Sequence, residues 1–350
     1  MKIVSLLLFI YIVNLYATPQ FAKEYNVNCS ACHSAIPVLN ETGRGFLRDG
    51  FRFSVEEKTT LQKVTEDSNT TYIPIAVMLS AQYNNITDSV KAGIKPFMAG
   101  TLTKSDSFFV SWGKSKNIYY QKNIEKEKHV IRAGFLSVYT QVSSINRISA
   151  GTGASCNDDS FDNIFKTPIQ KSSIKGIKGA DYSYKNGDTL ALISIGRTQD
   201  NTNTKKCVDS YDIDYADKTQ LSLAFKQSFY NYNLGVIYST IQDSELTNYS
   251  LISFLEKDFT QISFHIAYIY RDDILFTYQG FESMLSYRYD SELFFKSFYS
   301  YDEDYSYDNQ SFMLGFEKNY KNFILSLYAG ARKNSDIDES LLKTAVKIYF

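Results

Sequence analysis

The residues with the clearest chemistry lie near the N-terminus, in the run Cys29-Ser30-Ala31-Cys32-His33. A Cys-x-x-Cys-His run is the attachment signature of a c-type haem. Its two thiols can bond both vinyl groups of one porphyrin, and the adjacent imidazole is then the proximal ligand of the iron. We therefore predict one covalently bound haem c, with Cys29 and Cys32 as thioether anchors and His33 as the proximal ligand.

The segment before this motif indicates export. Lys2 precedes an almost uninterrupted apolar run from Ile3 to Val13, and Ala17 offers a small residue for cleavage. The run is too short to cross a bilayer, so residues 1–17 are predicted to be a signal peptide. Export agrees with the haem motif, because thioether attachment belongs to the periplasm.

The composition of the remaining chain is typical of an outer-membrane β-barrel. It holds most of 28 Tyr and 25 Phe, against a single Trp, and its formal net charge is close to neutral. It has no second apolar stretch long enough for a transmembrane helix. It also lacks the basic stripe that would indicate a nucleic-acid partner. An aromatic-rich and hydrophilic exported chain favours an antiparallel barrel in contact with outer-membrane lipid.

Alternation of apolar and polar residues supports the barrel more strongly. It recurs from about residue 71 to the end, and a period of two with one apolar face indicates strands. In the segment 261–271, the apolar face is formed by Ile262, Phe264, Ile266 and Tyr268. The final strand ends on Phe350, which resembles the terminal strand by which bacterial barrels are recognised for insertion. We therefore assign residues 71–350 to an all-β, outer-membrane barrel.

Strand number and loop position follow from topology. Bacterial barrels have an even number of strands, short periplasmic turns and longer outer loops. Counting back from Phe350 places the turns near 318–322, 290–291, 257–258 and 185–188 on the periplasmic side, which gives about sixteen strands, with fourteen as the alternative. The two longest connections fall outside and hold Cys156 and Cys207, for which we predict a disulfide in an oxidising compartment, with two free thiols as the alternative.

Residues 18–70 are too few to hold an independent core, and we expect them to form a partly helical plug in the barrel lumen. Their order FA…CxxCHxxxPxLNxxGxxFxxxGF, followed directly by a barrel, resembles the fused monohaem cytochrome–porin family. That family includes outer-membrane Fe(II) oxidases of iron-oxidising bacteria. The resemblance implies electron transfer across the outer membrane of a Gram-negative bacterium. It also implies an extracellular donor, Fe(II) or another reductant, and a periplasmic c-type cytochrome as partner.

The motif does not identify the second axial ligand of the haem iron. No Met or His lies between Ser34 and Ser54, so any such ligand must come from the lumen wall. Met78 and His265 have inward parity and are the two distal candidates, although either could simply line the lumen. The same parity places Met284 and Met313 on the inner face and His129 on the lipid-facing side. A His ligand would lower the haem potential and a Met ligand would raise it.

Three arginines, Arg44, Arg48 and Arg52, recur every four residues and would share one face of a helix. They could neutralise haem propionates or line the lumen, or they could form a solvated face.

Two functions remain open on the sequence. The first is electron transfer, with Fe(II) oxidation as the enzymatic form. The second is a solute-conducting porin whose haem-bearing plug is structural or sensory.

Overall fold

The computed structural model describes residues 21, 25, 27–35, 38–53, 75–85, 89–112, 117–125, 128–143, 176–198, 217–230, 232–242, 247–272, 277–290, 292–303, 308–320, 323–334 and 338–349. Cys156, Cys207, Phe350 and the predicted signal peptide 1–17 lie outside these ranges. The disulfide, the leader and the terminal residue therefore stay predictions.

The N-terminal part of the described chain is short and only partly helical. A 3-10 turn spans Cys29–Ala31 and leads into a small antiparallel ribbon of β1 (His33–Ala35) and β2 (Val38–Leu39). Helix α1 (Glu41–Arg48) follows directly. No helix in the described ranges is long and apolar enough to cross a membrane.

The rest of the chain forms a closed antiparallel barrel of sixteen strands. Each strand pairs with the next along the chain, and the last pairs with the first. The strands are β3 (Ile75–Asn84), β4 (Ser89–Thr101), β5 (Asp106–Ser111), β6 (Asn117–Ile124), β7 (His129–Leu136), β8 (Ile177–Asn186), β9 (Thr189–Thr198), β10 (Thr219–Phe229), β11 (Tyr232–Gln242), β12 (Thr247–Asp258), β13 (Ile262–Asp272), β14 (Thr277–Arg288), β15 (Leu293–Glu303), β16 (Asp308–Asn319), β17 (Phe323–Asn334) and β18 (Asp338–Tyr349). The predicted fold class is confirmed, with sixteen strands rather than fourteen.

The outer face of the barrel is apolar, as the alternation predicts, and its inner face carries polar and charged side chains beside buried apolar ones. On β13, Ile262 and Tyr268 are exposed on the outer face, whereas Ser263, His265 and Arg271 are buried on the inner face. This pattern repeats on neighbouring strands and is that of a barrel whose outer surface contacts lipid.

One predicted turn is displaced. The sequence places a turn at 257–258, but β12 continues through Asp258 and the connection is 259–261. In the extended part, Lys257 pairs with Tyr232 on β11, and its ammonium lies 3.4 Å from the centre of that ring. A cation over an aromatic face is attracted to it, which favours the longer strand.

A short segment after β7 turns into the lumen. Helix α2 (Tyr139–Val142) contacts α1 and the strand β10. Residues of this segment share a buried apolar cluster with the inner wall, formed by Val138, Tyr139, Val142, Leu190, Leu192, Ala224, Ile237, Ile252, Phe254, Ala267, Ile269, Tyr278, Met284, Phe298, Met313 and Tyr328. Part of the lumen is therefore filled by the chain's own apolar side chains.

Candidate functional site

The Cys29–His33 segment begins with a tight turn, and hydrogen bonds from Asn40 fix its backbone. The 3-10 turn starts at Cys29 and ends at Ala31, and Cys32 follows it directly. The Asn40 backbone N–H donates to the Cys32 carbonyl at 3.0 Å, and its Nδ2 donates to the Ala31 carbonyl at 3.1 Å. The motif therefore cannot move independently of the residue that precedes α1.

The same Asn40 begins the helix, which explains the Leu-Asn-x-x-Gly part of the sequence pattern. Its Oδ1 accepts the Gly43 N–H at 2.9 Å, a helix N-cap. A Cβ at Gly43 would lie 2.1 Å from the Cys32 carbonyl oxygen, so no larger residue fits this approach. Turn and helix consequently form one unit, held together at Asn40 and Gly43.

The C-terminal end of α1 reverses and packs into an aromatic cluster. Gly50 and Phe51 both have positive φ, of 70° and 67°, and the Phe51 N–H returns to the Phe46 carbonyl at 2.8 Å. The ring of Phe51 stacks on Phe109 of β5 with centroids 5.8 Å apart. The aromatic cluster thereby attaches the end of the helix to the barrel wall.

Arg44 attaches the first half of the helix to the opposite side of the lumen. Its guanidinium is buried and lies 3.3 Å from the Glu256 carboxylate on β12 and 3.7 Å from Asp258. It also donates to Glu41 at 2.9 Å, within the helix. Burial raises the pKa of Glu41, but the charges of Arg44 and Lys226 outweigh it and lower that pKa to about 2.

Arg48 and Arg52 bind other parts of the wall. Arg48 Nη1 donates to Ser183 Oγ at 2.9 Å and to Gln141 Oε1 at 3.2 Å. Arg52 donates to the Thr103 carbonyl at 3.1 Å. The solvated-face alternative for the arginines is wrong for Arg44 and Arg48, which are only 5% and 4% exposed. The interior of the barrel offers enough acceptors to bury them.

These contacts place the helix at one mouth of the barrel. Arg52 reaches the connection 102–105, and Arg48 reaches the carbonyl of Lys128 in the connection 125–128. Both connections are at the end where β3 begins and β18 ends. This is the end with the short turns, which the sequence predicts to be periplasmic.

His265 lies on the wall that the motif-bearing ribbon contacts. Strand β1, which begins at His33, contacts β13 and β14. The side chain of His265 is fully buried, and neither ring nitrogen has a hydrogen-bond partner among the residues that the structure describes. Its Nδ1 lies 3.7 Å from Glu256 Oε1, and that carboxylate also contacts Arg44 and the Ser143 hydroxyl.

The two predicted distal candidates are not brought together. Met78 lies on β3, and the strands β14 to β18 stand between it and β13 on that side of the barrel. Met284 is instead the direct cross-strand neighbour of His265, and it is buried. Met313 is buried on the inner face as predicted. His129 faces outward as predicted, with its Nδ1 2.7 Å from the Tyr182 hydroxyl.

Several lumen charges were not identified from the sequence. Glu256 is the most important, because it joins Arg44 of the plug to His265. Buried ion pairs also join Arg132 to Asp181 and Lys296 to Glu317. Their signal was available: each is an ionisable residue with inward parity on a strand, where a charge needs a partner.

The residues present fit a covalently attached haem. The turn and the residue after it carry the two cysteine positions, His33 follows, and the wall that this ribbon contacts supplies a second, buried imidazole whose nitrogens have no hydrogen-bond partner among the described residues. Within the described ranges, no group of three or more His, Cys, Asp or Glu side chains could hold a separate metal ion.

No protein-family model and no curated protein matches this sequence. Solved structures match its fold. Salmonella typhi OmpF, in complex with daunomycin, has a TM-score of 0.58 at 11% identity, covering 83% of this chain and 100% of that one. The anion-selective porin of Comamonas acidovorans has a TM-score of 0.55 at 8% identity, with 80% and 100% covered. Vibrio cholerae OmpT has a TM-score of 0.54 at 10% identity, with 82% and 100% covered. At such identities the likeness is one of fold, a porin-type barrel.

Proposed function

We propose that this protein is a monohaem cytochrome–porin that transfers electrons across the outer membrane of a Gram-negative bacterium. The observation that carries the proposal is the position of the haem-attachment turn. It is bonded to a helix whose Arg44 and Arg48 are buried against the inner wall of the barrel. A haem at this turn would be held within the mouth of the barrel rather than on a free tail.

Cys29 and Cys32 would hold the haem through thioethers, and His33 would be its proximal ligand. A bound haem would supply one-electron chemistry, in which an external donor such as Fe(II) is oxidised to Fe(III) and a periplasmic c-type cytochrome is reduced by one electron. The barrel contributes the insulation. Its apolar outer band is about 25 Å tall in such proteins, so the donor and the acceptor must approach from opposite ends.

The outer-membrane location is supported by two observations. Large apolar side chains, including Ile262, Leu285 and Leu314, are exposed on the outer face of the strands. The closed barrel has the fold of porins. Together with the predicted signal peptide, they favour export and insertion into outer-membrane lipid.

A solute-conducting porin with a structural or sensory plug is the second candidate, favoured by the likeness to porins. The interior argues against free passage. The plug helix is fixed by buried arginines at one mouth, and α2 with its apolar neighbours occupies lumen space farther in. Water and ions are disfavoured beside such apolar side chains.

The test is electron transfer into sealed proteoliposomes that contain a soluble c-type cytochrome. The purified full-length protein is inserted, Fe(II) bound to a membrane-impermeant chelator is added outside, and reduction of the enclosed cytochrome is followed spectroscopically. The matched control is the double variant Cys29→Ala/Cys32→Ala, which keeps the barrel and loses both attachment points. Conductance of the same two proteins is measured in planar bilayers.

The proposal predicts covalent haem and rapid reduction with the native protein, slow reduction with the control, and little ohmic conductance. Equal reduction by both proteins, together with conductance and passage of small sugars, would establish the porin alternative instead. Reduction by another impermeant reductant but not by Fe(II) would retain the electron conduit and exclude Fe(II) oxidase activity.

A further inference from the structure

His265 is a buried histidine for which both ring nitrogens lack a hydrogen-bond partner among the described residues. The chain has three histidines: His33 belongs to the attachment motif, and His129 lies on the outer face beside Tyr182. His265 is fully buried inside the barrel, and neither of its ring nitrogens finds a hydrogen-bond partner in the described part of the chain. A buried polar atom without a partner is destabilising, so a group that binds this imidazole would relieve the cost.

The carboxylate beside the ring determines which nitrogen is available. Glu256 Oε1 lies 3.7 Å from Nδ1, so the neutral tautomer with its proton on Nδ1 is favoured by the negative charge. Nε2 then carries the free lone pair. A histidine that ligates a metal usually has this arrangement, with the far nitrogen directed toward a carboxylate that fixes the ring and raises its basicity.

Glu256 also connects this imidazole to the plug. Its carboxylate lies 3.3 Å from Arg44 of α1 and accepts a hydrogen bond from Ser143 in the segment after α2. The ribbon strand β1, whose first residue is His33, contacts β13 and β14 on the same wall. The proximal histidine and His265 are thus presented from the plug and from the wall that it touches.

We infer that His265 Nε2 is the second axial ligand of the haem held by Cys29, Cys32 and His33. The inference rests on the proposed function, since it requires the haem. Met284, its cross-strand neighbour, is a member of the buried apolar cluster and has its packing satisfied there. Met78 lies on β3, away from the strands that β1 contacts.

A histidine as the second axial ligand determines how strong a reductant the external donor must be. Two imidazoles give a haem of lower potential than an imidazole and a thioether. The external donor would then be a stronger one-electron reductant than a Met-ligated haem would require. Any periplasmic acceptor whose potential is equal to or higher than this lower value could then take the electron.

The test is spectroscopic and uses the purified full-length holoprotein. Near-infrared magnetic circular dichroism of the ferric haem distinguishes bis-imidazole from imidazole–thioether ligation, and a potentiometric titration gives the midpoint. The test variants are His265→Ala and His265→Met. The control variants are Met284→Leu and Met78→Leu, each of which removes one methionine that could be the ligand instead. Barrel folding is verified in every variant by heat-modifiable electrophoretic mobility.

We expect a bis-imidazole spectrum in the native protein and in both methionine variants. His265→Ala should keep covalent haem, become high-spin, and regain the low-spin spectrum when imidazole is added. His265→Met should give the imidazole–thioether spectrum and a higher midpoint. If His265→Ala fails to fold, His265→Met and the two methionine controls still decide the ligand.

A native imidazole–thioether spectrum, or a His265 variant that retains the bis-imidazole spectrum, would overturn the assignment. Those results would leave the electron-transfer proposal intact, because covalent haem and transfer into proteoliposomes are measured separately. Covalent haem with the bis-imidazole spectrum but no transfer would instead support His265 and refute the function. Absence of covalent haem would refute both.

Discussion

Two walls of the barrel hold the plug helix, and they hold it by different means. The charged wall, formed by β12 and β13, presents Glu256 and Asp258 to the buried Arg44. The amide wall, formed by β6, β8 and α2, presents neutral groups to Arg48. Gln141 and Ser183 accept hydrogen bonds from its guanidinium, and Gln121 and Asn123 donate to its backbone carbonyl.

The difference separates residues that only hold the plug in place from residues that also lie beside the proposed haem ligand. On the amide wall, the guanidinium of Arg48 donates to the neutral side chains of Gln141 and Ser183 and to the Lys128 carbonyl. On the charged wall, the carboxylate that holds Arg44 also lies beside the unsatisfied imidazole of His265. A change on the amide wall should therefore alter only the stability of docking, whereas a change on the charged wall should alter docking and the environment of the proposed haem together.

The largest effect is expected for Arg44→Gln. Removing one partner of a buried ion pair leaves the other charge unpaired, which costs about 3–5 kcal/mol. The measurement is protease protection of the plug across a urea series, together with the haem midpoint. Arg52→Gln is the matched control, because Arg52 donates mainly to backbone carbonyls and is partly exposed. Equal urea midpoints for the two variants would contradict the role given to the charged wall.

Arg48→Gln should have a smaller effect, which is confined to docking. Hydrogen bonds that involve a charged group contribute about 1.5–3 kcal/mol each, and the shorter glutamine can still satisfy part of the amide wall. Protease protection should fall, while the haem midpoint stays at its native value. A midpoint shift as large as that of Arg44→Gln would remove the distinction between the two walls.

Phe109→Leu tests the aromatic contribution beside the amide wall. Its ring stacks on Phe51 and also on Tyr119, with centroids 5.8 Å and 5.5 Å apart. Aromatic pairs contribute about 0.5–1.5 kcal/mol each beyond their burial, and only the Phe51 pair joins the plug to the barrel, so the free energy of plug docking should fall by about 1 kcal/mol. Leu314→Ala on the outer face is the control, and it should leave plug protection unchanged.

The barrel could be predicted from the sequence because a period of two reports directly which face of a strand is buried. The same parity placed His265, Met284 and Met313 inside and His129 outside. It could not choose among the inward residues, since parity says nothing of distance around the barrel. Met78 and His265 have the same parity on strands that are far apart in the barrel order.

The docking of the plug was beyond the sequence for a different reason. The spacing of Arg44, Arg48 and Arg52 indicates a helix face, but their acceptors are backbone carbonyls and side chains up to 212 positions away. Glu256 can be identified as a partner of Arg44 only when β12 is known to face that helix. Its partners could not be found from local spacing.

The smallest effect concerns Glu41, and it depends on pH. Arg44 and Lys226 lower its pKa from 4.5 to about 2 in the folded protein. A carboxyl with a depressed folded pKa stabilises docking fully above its unfolded value, and this contribution is lost as the pH falls from 4.5 through about 2. The effect is small because the side chain is 55% exposed and the interaction is screened.

Because other carboxyls titrate in this window, the quantity to measure is the difference in plug protection between native protein and Glu41→Gln. That difference should be constant above 4.5 and shrink below it. A difference that stays constant down to about 2 would show that the charge of Glu41 does not contribute, and would leave Glu256 and Asp258 as the carboxylates that hold Arg44.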